Sequence, residues 1–464
     1  MARTTVLGID SSTQSTKALL VDAATGEVLG ARRAPHPAGT EVDPRAWLTA
    51  LDDAAGPFLG EAAAVAVGGQ QHGMVALDEH DAVVRAALLW NDTRSAPQAR
   101  QLVEEMGGPA ACAEELGSVL VASMTSTKLR WMAEHEPEHA ARTHRVLLPH
   151  DYLSRHLNAE KTSFFTDRGD ASGTGYYSTR TGSWDHGLLT RALGHDAELP
   201  DLAPAPGAAM GATTGGAVLA AGTGDNMAAA LGLGLAPGDV SLSIGTSGVA
   251  AMVSETRTAD PTGLVTGFAD ATGRYLPMAT TLNAARILEF AARVLGVDHA
   301  GLSALALAAR PGANGVTLLP YLDGERTPDR PEARGTLHGM SSATTREDIA
   351  RACVEGLLCS LADGLDALER TTATPARRVL LIGGGAQSEA VRRLAPAVLG
   401  RPVLVPTPGE YVALGAARQA AWALTGDDEP PAWALPGVQE HTADPTPQVL
   451  EAYRELQVRT AGWR

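Results

Sequence analysis

Lysine is scarce in this chain. Only Lys17, Lys128 and Lys161 occur in 464 residues, so 34 of the 37 basic residues are arginine. Together with the abundance of alanine, this reads as a compositional habit rather than a functional signal. Positive charge is also outnumbered, 37 Lys and Arg against 53 Asp and Glu, a net charge of −16. That balance excludes general binding to nucleic acid or to anionic membranes. It leaves room for local capture of anions such as nucleotides by backbone N–H groups. Cysteine is nearly missing too. Cys112, Cys353 and Cys359 are too few and too scattered for a disulfide framework or a zinc site. Cys353 and Cys359 fall in an apolar helical stretch and read as core. No long apolar run stands out. The segment Leu202–Gly224 is uncharged, but Gly, Pro and Thr interrupt it and it lacks the Leu, Ile and Phe of a membrane span. It reads as loop and short strand. Near the amino terminus Asp10 breaks any leader-like apolar segment, so a cytoplasmic protein is expected.

What is present is ordinary for a globular protein: 44% hydrophobic and 19% charged residues, with 50 glycines that forecast tight turns and close backbone approaches. The composition excludes a disordered chain, a coiled coil and a fibrous repeat. The length is about three times a typical domain of ~150 residues, so two or more domains are expected.

Along the chain, Thr4–Asp22 reads as strand, polar turn and strand. Asp43-Pro44 starts a helix that Gly56-Pro57 is expected to end. Ala64–Val67 is a buried strand followed by Gly68-Gly69. A second strand–turn–strand starts at Asp239 and copies the first, with Gly245-Thr246-Ser247-Gly248 as its turn. Related halves with a cleft between them are the simplest reading, divided as 1–238 and 239–464 near Ala236-Pro237-Gly238. The remainder alternates: helices at Asn283–Val294 and Thr345–Leu368, a strand at Arg378–Ile382, a helix at Ser388–Leu394, a strand at Val403–Val405, and helices at Ala413–Leu424 and Pro447–Val458. This order predicts an α/β protein with largely parallel sheets.

Four groups of residues carry chemistry. The turn Asp10-Ser11-Ser12-Thr13-Gln14 offers hydroxyls and free N–H groups to phosphate oxygens, and a carboxylate that suits Mg²⁺. Alone it is also what a polar hairpin turn looks like. The second turn, Gly245–Gly248, makes a two-sided clamp for a polyphosphate conceivable. Gly383-Gly384-Gly385-Ala386, between strand and helix, lets backbone approach a flat ligand or phosphate, but it is neither a P-loop nor a dinucleotide fingerprint. Gly224-Asp225-Asn226 opens a short helix, read as Ala228–Leu233. Asp225 is either an N-cap or a general base exposed by flanking glycine. Gly69-Gln70-Gln71-His72-Gly73 and Trp90-Asn91-Asp92-Thr93-Arg94 follow strands and suit a hydroxyl-rich ligand such as a sugar. The other twelve histidines read as structural.

Taken together, these segments resemble the FGGY carbohydrate kinase family, over nearly the whole chain. Gly8–Lys17 and Gly245–Gly248 resemble its two phosphate motifs, Gly383–Ser388 its adenosine-proximal motif, and Gly224-Asp225-Asn226 its catalytic aspartate. Thr166–Thr174 and Tyr321–Pro328 resemble further family stretches whose roles the sequence does not disclose. The resemblance implies a two-lobed, actin/hexokinase-like (ribonuclease H-like) α/β fold with a central ligand cleft. It implies ATP and Mg²⁺ as cofactors, a small sugar as partner, no nucleic acid or membrane, and a homodimer as a candidate assembly, with the oligomeric state left open. Within the family the chain most resembles the subgroup acting on D-xylulose. That subgroup's Gly-Gln-Met-His-Gly pattern has Gln71 here in place of Met. Another ketose or polyol (ribulose, fuculose, gluconate), or a catalytically silent sugar-binding protein, are the alternatives.

The site so implied assigns Asp225 as the base, and Gln71, His72, Trp90, Asp225 and Asn226 to the sugar. Ser12, Thr13, Gln14, Gly245, Thr246, Ser247, Gly384, Gly385, Ala386 and Gln387 fall to ATP, and Asp10 to the metal. At a helix start, the Asp225 carboxylate is expected to stay ionised and to act through geometry rather than high basicity.

Overall fold

The computed structural model describes residues 3–463. Each half of the chain builds one seven-stranded sheet. In the first, the order from edge to edge is Ala209–Ala212, Val218–Ala220, Ala64–Gly69, Thr5–Ser11, Ser15–Asp22 and Val28–Pro35. Thr223–Gly224 adds to the end of Ala64–Gly69. In the second, the order is Val265–Ala269, Tyr275–Thr281, Gly248–Met252, Val240–Ile244, Val379–Ile382, Val403–Val405 and Gln439–His441. The expectation of largely parallel sheets needs correction, because both sheets are mixed. The strand–turn–strand units pair antiparallel, Asp10 opposite Lys17 and Ser243 opposite Val249. Parallel pairing begins only where a helix separates the strands.

Strand alternation decides what covers the first sheet. Leu7, Ile9 and Leu20 face a cluster with Trp47 and Leu51 of the helix Arg45–Leu59. Val6, Leu19 and Val21 face the other way, onto Ala413, Ala416, Ala417 and Ala420. The alanines belong to the helix Tyr411–Thr425, a segment of the second half that lies on the sheet of the first. Small side chains let it come very close. A Cβ on Gly415 would stand 1.8 Å from the carbonyl oxygen of Ala228. We propose the junction of residues 238 and 239 as the boundary of two lobes, with this helix among the elements that cross it.

Two element ends differ from expectation. The helix Arg45–Leu59 runs through Gly56-Pro57 and stops at Gly60. Pro57 falls in the last turn, where the proline ring removes one hydrogen bond without breaking the elements that pack. Leu202–Gly224 contains the short strands Ala209–Ala212, Val218–Ala220 and Thr223–Gly224, as read. Among the described residues no single helix is long and apolar enough to cross a membrane. The three cysteines are free and buried. Cys353 sits in the second core with Val240, Leu242 and the helix Arg346–Thr372.

Candidate active site

Sheet register brings the sequence-predicted residues to one place. Asp10 pairs with Gly68 on one side of the strand Ala64–Gly69, and Thr223 and Gly224 pair with Gly68 and Gly69 on the other. The ends of three parallel strands therefore deliver Asp10, Gln70–His72 and Asp225 to the same rim. Open α/β sheets bind ligands at this carboxyl end. The helix that follows starts at Asp225 itself, three residues earlier than expected, and runs to Gly232. Asp225 Oδ1 accepts from the Asn226 backbone N–H at 2.8 Å and from its side-chain Nδ2 at 3.0 Å. The same Asn226 Nδ2 lies 3.0 Å from Gln71 Oε1. Asp225, Asn226 and Gln71 thus form one hydrogen-bonded unit.

The ionisation of Asp225 departs from expectation. Its carboxyl is pushed up to about 7. Burial at the floor of a deep cleft is the main cause, and the nearby charges of Asp10 and Asp170 add to it. Water reaches the group, but protein surrounds it. The helix N-terminus stabilises the anion by too little to offset desolvation and two like charges.

His72 adopts a positive φ of 69°, a left-handed conformation that few non-glycine residues take. The turn aims its ring at the backbone of Gly173, where Nδ1 lies 2.6 Å from the carbonyl oxygen. A carbonyl only accepts, so Nδ1 carries the proton and donates. Burial holds the pKa down at about 3, so the ring is neutral and Nε2 keeps its lone pair. Such a nitrogen accepts from a hydroxyl. Gly173 is required here, because a Cβ on it would stand 2.7 Å from His72 Nδ1. Trp90 is 45% exposed, and its indole N–H donates to Thr13 Oγ1 at 2.8 Å. A residue expected at the sugar and one expected at the phosphates therefore touch.

A cleft of about 690 Å³ is lined by Asp10, Lys17, Asp225 and Asn226 from one side and by Gly383, Gly384, Gln387 and Glu410 from the other. Gly384 and Gln387 also line an adjoining cavity of about 630 Å³, together with Gly245, Thr246, Gly385 and Ser388. The other expected ATP residues stand apart from both linings. Ser12 Oγ donates to the Ser15 carbonyl, the Gln14 carbonyl caps His36 N, and Ser247 Oγ donates to the Leu282 carbonyl at 3.4 Å. The Ala386 methyl is buried in the second core. Asp10 is 2% exposed, and its Oδ1 has no hydrogen-bond partner among the described residues. Its pKa is raised to about 6 by burial, which Lys17 partly counters. Lys17 Nζ bridges Asp10 Oδ2 at 3.3 Å and Glu410 Oε2 at 2.6 Å. A buried, unpartnered carboxylate oxygen is the hard donor that Mg²⁺ prefers, so these residues fit the ion.

Three contributors were not legible in the sequence. His150 Nδ1 lies 2.5 Å from Asp170 Oδ2, and Nε2 lies 3.3 Å from the Ala221 carbonyl. Both neighbours accept, so both ring nitrogens carry protons. The neighbouring Asp151 and Asp170 charges outweigh burial and raise the ring pKa to about 10. His150 is thus a buried cation that braces the backbone leading to Asp225. Asp167 caps the short helix Arg168–Ala171 and accepts from Thr223 Oγ1 at 2.8 Å. With Gly173 and Asp170, this gives the Thr166–Thr174 stretch its role as the wall behind His72 and Asp225. Glu325, 1% exposed, accepts from Leu282 N at 2.6 Å and Asn283 Nδ2 at 3.0 Å. It ties the Tyr321–Pro328 stretch to the backbone that Ser247 also contacts. Asp167 and Glu325 lie in stretches that the family likeness marks, but their roles, like that of His150, were hidden because each acts on a segment distant in sequence.

Comparison with known proteins identifies the family of the chain. The profile of the N-terminal domain of the FGGY family of carbohydrate kinases matches residues 5–232, and that of the C-terminal domain matches residues 240–424. A xylulose kinase of Streptomyces coelicolor is 50% identical over 438 residues, covering 91% of this chain and 89% of that one. A xylulose kinase of Streptomyces rubiginosus is 49% identical over the same coverage. The crystal structure of xylulose kinase from Bifidobacterium adolescentis superposes with a TM-score of 0.92 at 47% identity, covering 98% of this chain and 99% of that one.

Proposed function

Because the chain belongs to the FGGY family of carbohydrate kinases, we propose that it transfers the γ-phosphoryl group of MgATP to the 5-hydroxyl of D-xylulose. The observation that carries the reading is the unit Gln71–Asn226–Asp225, which joins the expected sugar-binding side chain to the expected base within hydrogen-bond distance. The relatives near half identity, all xylulose kinases, support the choice of sugar.

In this reading His72 Nε2 accepts from one sugar hydroxyl, and Gln71 and Trp90 form the rest of the wall. Asp225 accepts the proton of the attacking hydroxyl as the new O–P bond forms and the bond to the departing ADP breaks. A base whose pKa lies near the working pH is well matched to that task, and its contribution is about 10²–10⁴-fold. Bound Mg²⁺ supplies positive charge against the phosphate oxygens. Asp10 holds that ion, and Lys17 turns from Asp10 and Glu410 toward phosphate. The turns at Ser12-Thr13-Gln14 and Gly245-Thr246-Ser247 grip phosphates chiefly through backbone N–H groups, since the Ser12 and Ser247 hydroxyls already serve backbone carbonyls, and Gly384, Gly385 and Gln387 receive the adenosine side with the Ala386 methyl packed in the core behind them. Because phosphoryl transfer passes through a loose transition state, positioning and charge neutralisation supply most of the rate.

The test is ADP release with MgATP against D-xylulose, D-ribulose, L-fuculose, D-gluconate and glycerol, for the wild type and Asp225→Asn. A preference for D-xylulose that disappears in the variant supports both substrate and base. Preference for another sugar overturns the substrate. Full activity of Asp225→Asn overturns the base.

A further inference from the structure

Trp90, Thr13 and Gln70 form a short chain of hydrogen bonds between the two binding sites. Trp90 Nε1 donates to Thr13 Oγ1 at 2.8 Å, and Thr13 Oγ1 donates in turn to Gln70 Oε1 at 3.4 Å. An indole nitrogen only donates, so the direction is fixed. Thr13 lies on the turn expected to grip phosphate. Gln70 precedes the sugar pair Gln71-His72, is 0% exposed, and has an Nε2 without a partner among the described residues. The segment that follows Trp90 is anchored. Asp92 accepts from Thr40 Oγ1 at 2.8 Å and from Arg94 Nε at 2.9 Å, and Arg94 stacks over Trp131.

We propose that the indole N–H of Trp90 is a positioning group for the nucleotide, orienting the Thr13 hydroxyl while the same ring walls the sugar pocket. This rests on the kinase reading given above. A threonine hydroxyl has one proton. With its oxygen occupied by the indole, that proton is the only group left to give, and its present partner is distant at 3.4 Å. A hydrogen bond of that length is weak, and a phosphate oxygen is the stronger acceptor. Binding ATP therefore requires the proton to swing from Gln70 to phosphate about an oxygen that Trp90 keeps in place. Without the indole N–H the hydroxyl rotates freely and the donor loses its aim.

The experiment compares Trp90→Phe, Thr13→Val, their double variant and Thr13→Ser. Phe keeps a six-membered ring against the sugar and removes the N–H together with the five-membered ring that carries it. Readouts are the KM values for MgATP and D-xylulose, and the Kd of MgADP measured calorimetrically without sugar. A lost hydrogen bond of ordinary strength corresponds to about a tenfold change. Trp90→Phe is expected to raise KM for MgATP and Kd for MgADP about tenfold, with KM for D-xylulose changed less than about threefold. Thr13→Val should do the same, the double variant should be no worse than either single, and Thr13→Ser, which keeps the hydroxyl, should lose less MgADP affinity than Thr13→Val. The proposal is overturned if Trp90→Phe moves only the sugar KM, if the two single effects multiply, or if Kd for MgADP is unchanged. A wild type that phosphorylates none of the sugars sinks the kinase reading instead, and the sugar-free MgADP titration still decides the role of Trp90.

Discussion

The imidazole of His150 and the carboxylate of Asp170 meet at 2.5 Å with neither side chain exposed to solvent. Replacing His150 by Asn leaves Asp170 buried without its counter-charge, a change worth about 3–5 kcal/mol in other buried pairs. The sign of the pH dependence follows from the raised pKa. His150 rises from 6.5 to about 10 on folding, so its stabilisation is complete below pH 6.5 and is lost as pH climbs through 10. Urea or thermal unfolding of wild type and His150→Asn should show their widest gap near pH 6 and a closing gap toward pH 10. A gap independent of pH would mean that the ring is neutral in the native state.

Asp225 titrates with the same sign but over a lower pH range, and here the charged form is the disfavoured one. Its pKa rises from 3.8 to about 7, so the folded state binds the extra proton between those values and loses that advantage as pH passes 7. At pH 8 the native site therefore holds a strained anion. Asp225→Asn should melt a few degrees above wild type at pH 8 and at the same temperature near pH 4, as expected where a site trades stability for activity. Equal melting at pH 8 would show that the carboxylate is comfortably solvated.

The same shift sets the acid limb of catalysis. A plot of kcat/KM for the sugar against pH should fall below an apparent pKa near 7, where Asp225 gains its proton. The charge of Asp170 is one of the causes holding that value up. Asp170→Asn should move the limb toward lower pH, and a limb that does not move would place the relevant ionisation elsewhere.

Gly173→Ala tests the orientation of His72. The added carbon would stand 2.7 Å from Nδ1, so the ring must leave its carbonyl partner or rotate. KM for the sugar should rise about tenfold or more, with MgADP binding within about twofold of wild type. An unchanged sugar KM would remove His72 from the pocket.

Much of the architecture was legible in the sequence because it is written in local periodicity. Val6–Val21 and Val240–Val253 show alternation and polar turns, and both are hairpins at the centre of a sheet. The convergence of Asp10, Gln71 and Asp225 was suggested by strand-end position and family likeness, and pairing register accounts for it. What could not be read depends on distance across the fold. His150 looks like any helical histidine until Asp170 and Ala221 are placed beside it. Asp225 looks like a helix cap until its burial, and the charges of Asp10 and Asp170, are seen together. Pro57 looks like a terminator until the helix is seen to continue to Leu59.

The helix Tyr411–Thr425 lies on the first sheet, against Val6, Ala64, Ala66 and Ala220. During synthesis on the ribosome, the earliest strands must therefore wait, with one apolar face bare, for a segment made near the end of translation. The amino-terminal lobe begins first and is completed last. Its own helix at Asp225–Gly232, packed through Gly232 and Ala228 onto that late arrival, is seated only then. Assembly of the rim that carries Asp10 and Asp225 is thereby tied to completion of the polypeptide, and a nascent chain severed before residue 411 lacks the cover of that sheet face.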